Sequence, residues 1–328
     1  MHSGSVNIFL DVRCAMRVVT RKYLGRVAAS LFPAVLLVWP SLGAENDGAL
    51  IPYLSGIWGR NTLNLEAPPS GYGPIFNITR KADGTLDTRI PVGDYTNPVL
   101  KPEAAQVVKE RGEISLSGRA FPSPHNQCWP EPPPFVLAIQ FGVQILQHKD
   151  AVTLFYVSDH QVRHIRMNAP HRADRSATWQ GDSVGHYEGD TLVIDTIGIK
   201  VGPFSTVDRN GTPHSEALHV VERYRLIDGQ TAREAVLRHE SLYSGDFVAS
   251  ADRESRQYGR GPVDPDPRLN GLQVEITVED QGAFTAPWSA LVTYRPATGD
   301  WPEAVCAENP RDISGVDAAV PLAERRDF

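Results

Sequence analysis

Alternating apolar and polar residues dominate the second half of the chain. In the clearest segment, Leu272, Val274, Ile276 and Val278 are separated by polar side chains. Similar apolar or alternating segments lie at 151–157, 162–167, 191–196, 218–226 and 288–294. Short segments of this kind separated by turns are typical of antiparallel sheet, and closing the sheet removes its edges. The pattern therefore predicts a mainly β fold, a single antiparallel β-barrel or strongly curled sheet with a few short helices.

Helical signals are confined to two short segments. Pro102 stands at the start and Gly112 at the end of the first, an asymmetry typical of helix boundaries. Thr231 and Glu234 have the spacing of a capping box, which predicts a helix from 231 to about 241. Between two predicted strands, the sequence 188–190 (Glu-Gly-Asp) predicts a hairpin turn.

The first 44 residues have the pattern of a secretory signal peptide. Basic residues at 17, 21, 22 and 26 precede an apolar run of 13 residues, 27–39, and small residues lead to Ala44. The run is short for the ~30 Å of hydrocarbon in a membrane; a retained anchor or a buried helix is the alternative. We expect cleavage near Ala44, with Met1 or Met16 as the start. The mature chain, 45–328, is then one β-rich domain, periplasmic or secreted and without membrane insertion.

Net charge argues against one class of partner. The chain has 32 basic and 39 acidic residues, and removing the five basic and one acidic residue of 1–44 leaves 27 and 38. A body with a net charge of −11 repels phosphate backbones, so no nucleic-acid partner is expected. The sequence contains neither a P-loop nor a Gly-rich fingerprint that opens a helix, so no nucleotide cofactor is expected.

Two cysteines remain after the predicted cleavage. In an exported chain, Cys128 and Cys306 predict one disulfide that fastens the C-terminal segment to the middle of the chain. Two free buried thiols are the alternative. Neither cysteine has a second Cys or a His at zinc-ligand spacing.

The predicted strand 218–226 places a carboxylate on an apolar face. Glu222 shares that face with Val220 and Tyr224, whereas His219 and Arg223 point the other way. A buried carboxylate is either paired with a cation or has a raised pKa, which suits a general acid or base. The pairing alternative is an inward Arg from another strand, Arg163 or Arg166.

Several polar residues around this strand complete a candidate catalytic set. Glu222 and His214 would carry protons, supported by Glu216, Ser183 and Arg223. Glu216 lies on the same side as Glu222 if the extended conformation also holds before residue 218. For His214, the alternative is a role as a turn residue. His214 and His219 would point to opposite faces, so no metal site is expected.

Ser183 carries a second, separate hypothesis. The sequence 181–185 (Gly-Asp-Ser-Val-Gly) matches the letters of a nucleophile elbow, which would make Ser183 a hydrolase nucleophile. The elbow needs a preceding strand and a following helix, and here a strand follows.

Aromatic residues form the candidate ligand-binding set, because they could line an apolar pocket for a small organic molecule. The alternative is that they are simply core. The set consists of Tyr156, Trp179, Tyr224 and Trp288.

Longer motifs carry a resemblance. The pattern Trp-x-Gly-x-Ser-x-Gly at 179–185, the run 188–196 and the run 213–225 (PHSEALHVVERYR) resemble an uncharacterised family of exported bacterial proteins. The resemblance also includes 274–280, 284–288 and 306–309, and it implies an exported protein with a lipocalin-like architecture. Gly56-Ile-Trp58 resembles the opening of the first strand of lipocalin-like barrels. Family members pass almost directly from the strand before 231 to the strand after 270, so 231–270 is an insertion that changes the pocket rim.

These observations leave competing functions. The first is an exported enzyme that uses acid–base chemistry of lyase, isomerase or hydrolase type on a small, mostly apolar molecule. The alternative is a non-catalytic β-barrel that binds a small ligand, and a third is a structural envelope protein. The enzyme requires Glu222 in a cavity beside a second titratable group, whereas the binding protein requires Glu222 capped by an Arg.

Overall fold

A computed structural model describes residues 51–60, 62–139, 141–174, 176–243, 263–299 and 304–306. The predicted signal peptide lies outside the described residues, as does 244–262 within the predicted insertion.

Nine strands close into a barrel in which each strand pairs with its neighbours in sequence, and the first pairs with the last. The mainly β barrel predicted from the alternation is confirmed, with each predicted strand within a residue or two of its observed bounds. The strands are β1 Gly56–Gly59, β2 Val143–Gln147, β3 Ala151–Tyr156, β4 Val162–Met167, β5 Asp182–Glu188, β6 Thr191–Ile197, β7 His219–Ile227, β8 Gly271–Glu279 and β9 Trp288–Pro296.

One pair departs from the predicted antiparallel arrangement. β4 and β5 run parallel, with Ile165 opposite Ser183. Parallel neighbours cannot be joined by a tight turn, and the connection here is the segment 168–181, which we call the crossover. The predicted turn at 188–190 does join β5 and β6 as a hairpin.

The barrel interior is filled by the inward residues of successive strands. Leu154, Ile165, Ile194, Val220 and Ile276 are all fully buried. Each of these residues lies on the buried face of its own strand. The alternation in the sequence encodes this arrangement, because a strand directs every second side chain to one face.

The described residues include three α-helices, α1 Pro102–Leu116, α2 Phe135–Ala138 and α3 Gly229–Glu240, and α3 packs against β8 and β9. The prediction that Gly112 ends α1 is wrong, since the helix continues for four more residues. Gly112 is buried, and a Cβ there would lie 2.8 Å from a methyl carbon of Val92. Close packing, not helix termination, therefore explains this glycine.

The predicted start of α3 is also wrong. The N-cap is Asp228, whose side chain accepts a hydrogen bond from the Thr231 backbone N–H at 2.9 Å. A carboxylate three residues before Thr231 satisfies the free N–H groups of the first turn, so the helix begins earlier.

A disulfide joins Cys128 to Cys306, with 5.3 Å between their Cα atoms, which confirms the predicted pairing. Among the described residues, no helix combines the length and apolar character needed to cross a membrane.

Candidate functional site

Glu222 lies at the centre of the barrel. It is 0% exposed, between Ile194 of β6 and Ile276 of β8, which confirms the face predicted from the alternation. A carboxylate in this position loses all contact with water, so its state depends on the polar groups around it.

The partner of Glu222 is Arg163 of β4. An Arg163 Nη2 donates to Glu222 Oε2 at 2.5 Å, and the Tyr224 hydroxyl donates to Oε1 at 3.0 Å. Arg163 also donates to the Ser183 hydroxyl at 2.9 Å and to the hydroxyl of Thr196. Its remaining nitrogen lies 3.5 Å from the Tyr156 hydroxyl. We call these six residues the barrel cluster.

The charges of the barrel cluster are fixed by mutual contact. Burial acts to lower the pKa of Arg163, but the charge of Glu222 and its hydrogen bond outweigh this effect and raise that pKa overall. Burial raises the pKa of Tyr156 to about 12, and burial with the charge of Glu222 raises that of Tyr224. Both tyrosine hydroxyl groups are therefore neutral beside the Arg163–Glu222 ion pair.

Of the two states expected for a buried Glu222, the structure has the one in which the carboxylate is paired with an arginine. Both carboxylate oxygens accept a hydrogen bond, and the side chains of Arg163 and Glu222 are 1% and 0% exposed. A carboxylate held in this way fits a structural ion-pair partner better than a proton carrier, because a proton carrier needs reach to a substrate atom. A catalytic role for Glu222 stays a prediction that this geometry does not favour.

Ser183 belongs to the barrel cluster and not to a nucleophile elbow. It is the second residue of β5, and the strand continues to Glu188, with no helix following. The nucleophile-elbow hypothesis is therefore wrong. Its hydroxyl accepts from Arg163 and lies 3.0 Å from the Thr196 hydroxyl.

The other candidate catalytic residues lie elsewhere. Glu216 is exposed in the turn before β7, so the expectation that it shares the side of Glu222 is wrong. Arg223 is on the outer face and donates to Glu188 at 2.6 Å. His214 is buried, with Nδ1 3.1 Å from the Ser215 carbonyl oxygen, and burial lowers its pKa. No described contact joins the side chains of these residues to Glu222. For Glu216 and His214 the reason is the turn at 216–217, which interrupts the assumed strand pattern, and for Arg223 it is the outward face of β7.

The four candidate ligand-binding aromatics do not line one pocket. Tyr156 and Tyr224 belong to the barrel cluster, and Trp288 is buried with its ring centroid 5.8 Å from that of Phe284. Trp179, half-buried on the crossover, packs its ring against Trp129. The alternative that these rings serve as packing therefore describes at least three of them.

A partly open cavity of about 50 Å³ lies apart from these candidates. Three segments build most of it: residues 64–77, the connection between β6 and β7 at 208–210, and the residues from 239 to 243 at the end of α3. Leu86 completes the wall. Its walls include Leu65, Ile75, Phe76, Leu86, Leu242 and Tyr243. The sequence analysis missed this cavity, because its walls come from three distant segments without regular alternation. The prediction that the insertion alters a pocket rim is the one signal that points towards it.

Polar groups in the walls of this cavity are largely uncharged or already paired. His239 Nε2 lies 2.6 Å from the Leu63 carbonyl oxygen, and burial lowers the pKa of His239 to about 4. The Asp208 Oδ1 accepts from the backbone N–H groups of Asn210 and Thr212 at 2.8 and 3.1 Å. Its Oδ2 has no hydrogen-bond partner among the described residues, and burial raises the pKa of Asp208. The cavity thus offers apolar walls with a few neutral or shielded polar groups.

No group of three or more His, Cys, Asp or Glu side chains within the described ranges is arranged to hold a metal ion. In comparisons with known proteins, no family model, no curated protein and no solved structure matches this chain.

Proposed function

We propose that this protein is an exported β-barrel that binds a small, mostly apolar molecule without converting it. The observation that carries the proposal is the partly open, apolar-walled cavity beside α3. Export is supported by the signal-like pattern of 1–44 and by the Cys128–Cys306 disulfide, since disulfides persist in oxidising compartments.

The barrel centre is a poor location for a ligand or for catalysis. Its charged pair is buried, and its hydroxyl groups are hydrogen-bonded to one another, to Arg163 or to Glu222. A ligand that entered there would have to separate Arg163 from Glu222, and breaking a buried pair costs about 3–5 kcal/mol. This cost favours the cavity beside α3 over the barrel cluster.

The size of the cavity limits the ligand. One water molecule needs about 10–15 Å³ of such space, so the cavity has room for a few water-sized groups. At its walls, Phe76 and Leu242 remain 37% and 46% exposed, which extends the apolar surface outwards. We therefore expect a ligand that inserts one short alkyl group and lays the rest across Phe76 and Leu242.

Equilibrium dialysis tests the proposal. The mature protein is dialysed against short-chain alcohols, amines and carboxylic acids and monocyclic aromatics, and retained and altered masses are followed. We expect retention without alteration. Ala67→Trp, at an exposed position in the cavity wall, should weaken retention about tenfold, because two buried methylenes contribute about 1.6 kcal/mol.

The matched control is Ala217→Trp, an exposed alanine that does not line the cavity. It should retain the compounds as the wild type does. Equal retention by Ala67→Trp and the wild type would contradict the proposed site. An altered mass that disappears in Glu222→Gln would instead establish the enzyme.

A further inference from the structure

A histidine on the crossover bridges two strands on the outer face of the barrel. His171 Nδ1 lies 3.0 Å from Asp182 Oδ2 on β5, and its Nε2 lies 3.0 Å from Asp195 Oδ1 on β6. The His171 side chain is 21% exposed, so protons can reach it. His171 thereby adds two side-chain contacts to the backbone hydrogen bonds that hold the crossover at Asn168 and Thr178.

Both contacts of His171 require a hydrogen on the ring. A neutral imidazole has one N–H donor and one lone pair, whereas an imidazolium has two donors. Because both partners are carboxylate oxygens, only the imidazolium can donate to Asp182 and Asp195 together. Loss of one proton turns one of the two bonds into a repulsion between a lone pair and a carboxylate.

A second histidine reaches the same carboxylate from β7. His219 Nε2 lies 3.0 Å from Asp195 Oδ1, and its Nδ1 lies 3.7 Å from Glu279 Oε2 on β8. The hydrogen bond to Asp195 raises the pKa of His219 above 6.5. The hydrogen bond from His219 in turn lowers the pKa of Asp195.

Two further donors hold Asp182. Arg166 on β4 donates to its oxygens at 2.9 and 3.1 Å, and the backbone N–H of Arg172 donates at 3.0 Å. Although burial acts to raise the pKa of Asp182, these donors and His171 lower it to about 2. Asp182 therefore stays charged at any pH at which the barrel is expected to work.

We propose that His171, His219, Asp182 and Asp195 form a pH-sensitive latch, which holds the part of the crossover around His171 and Arg172 against the barrel when the histidines are protonated and releases that part when they are not. The other charged groups in contact with these four residues are Arg166 and Glu279, and Arg172 contributes its backbone N–H. This proposal does not depend on the ligand-binding cavity, which shares no residue with the latch.

The pKa shifts of His219 and Asp195 together give the direction in which pH changes the stability of the latch. His219 has a higher pKa folded than unfolded, so its contribution is complete below 6.5 and disappears as the pH rises through the higher value. Asp195 has a lower pKa folded than unfolded, so its contribution is present above 3.8 and disappears only in stronger acid. The latch is thus closed in mildly acidic solution and opens as the solution becomes alkaline.

Hydrogen–deuterium exchange at pH 5.5 and 8.5, corrected for the intrinsic pH dependence of exchange, tests the latch. The Arg172 amide donates to Asp182, whereas the nearby Asn168 amide donates to the Gly185 carbonyl oxygen at 2.7 Å and serves as an internal reference. We expect protection at Arg172 to fall about tenfold relative to Asn168 as the pH rises. Equal protection ratios at the two pH values would overturn the proposal.

Two variants separate the latch from general pH effects. His171→Gln should show low protection at Arg172 at both pH values, because glutamine cannot become a cation. The control is His186→Gln, an outer-face histidine 3.0 Å from Glu188 that should keep the wild-type response. A wild-type response in His171→Gln would refute the latch. In the wild-type protein, the midpoint of the ring titration of His171 by NMR must also coincide with the loss of protection.

Discussion

Two Arg–Glu pairs in the described part of the chain have similar distances but differ in burial, so the effect of burial can be tested by itself. Arg163–Glu222 is separated by 2.5 Å with side chains 1% and 0% exposed, whereas Arg223–Glu188 is separated by 2.6 Å with side chains 40% and 48% exposed. The perturbation is the same in each: Glu222→Gln and Glu188→Gln. Each removes one charge and keeps the shape of the side chain.

The expected costs differ widely. Glu222→Gln leaves the Arg163 guanidinium charged and without its counter-ion inside the barrel, and breaking a buried pair costs about 3–5 kcal/mol. Glu188→Gln removes a pair that water already screens, and exposed pairs contribute about 0–1 kcal/mol. Arg163→Met combined with Glu222→Gln removes both charges, so we expect a cost at least about 2 kcal/mol below the sum of the single changes.

Urea unfolding with the disulfide intact measures these differences as shifts in the transition midpoint at constant slope. The reasoning is refuted if Glu222→Gln costs no more than Glu188→Gln, or if the costs of the single changes add in the double variant. Full stability of Glu222→Gln with loss of a chemical activity would return Glu222 to the role of a proton carrier.

Two further predictions concern other parts of the chain. Replacing Cys128 and Cys306 by serine opens a loop with a sequence separation of 178, so the free energy of unfolding should fall by up to about 5 kcal/mol; a loss below 1 kcal/mol in urea unfolding would contradict this expectation. His239 has a pKa of about 4 folded and 6.5 unfolded, so the unfolded chain binds the extra proton first as the pH falls. Stability should therefore decrease by up to about 3 kcal/mol between pH 6.5 and pH 4, and His239→Gln should remove that part of the slope in urea unfolding.

Most strands could be predicted because their side chains obey the simplest rule of a half-buried sheet. The alternation around Val274 and Ile276 has one apolar face, so strand and burial follow together. β5 escaped assignment as a strand because Ser183, Gly185 and His186 give it little β propensity. Its position is fixed by Arg163, which needs the Ser183 hydroxyl, and by the parallel pairing with β4, and neither is visible in a local pattern.

The buried Arg163–Glu222 pair could be predicted from the sequence, whereas the positions of Glu216 and His214 and the cavity could not. The burial of Glu222 follows from its strand, and the choice between Arg163 and Arg166 follows from parity, since Arg163 shares its face with Ile165 and Met167. That criterion would have selected Arg163 from the sequence alone. The positions of Glu216 and His214 depend on a turn at 216–217, and the cavity depends on the contact of three distant segments. The two contacts of His171 likewise exist only because the crossover returns beside β5.

The odd number of strands, together with the antiparallel pair that closes the ring, also explains why the crossover exists. In a closed ring of strands, reversing direction at every step restores the starting direction only when the number of strands is even. A ring of nine must therefore contain at least one pair of equal direction, and this barrel has it between β4 and β5. Because β1 and β9 close the ring as an antiparallel pair, the pair of equal direction has to lie between two sequence neighbours. The chain must then travel back along the wall between those two strands, and this return segment is the crossover. The charged residues around His171 are thus linked to the strand count, because a nine-stranded ring of sequence neighbours that closes with an antiparallel pair must contain at least one such return segment.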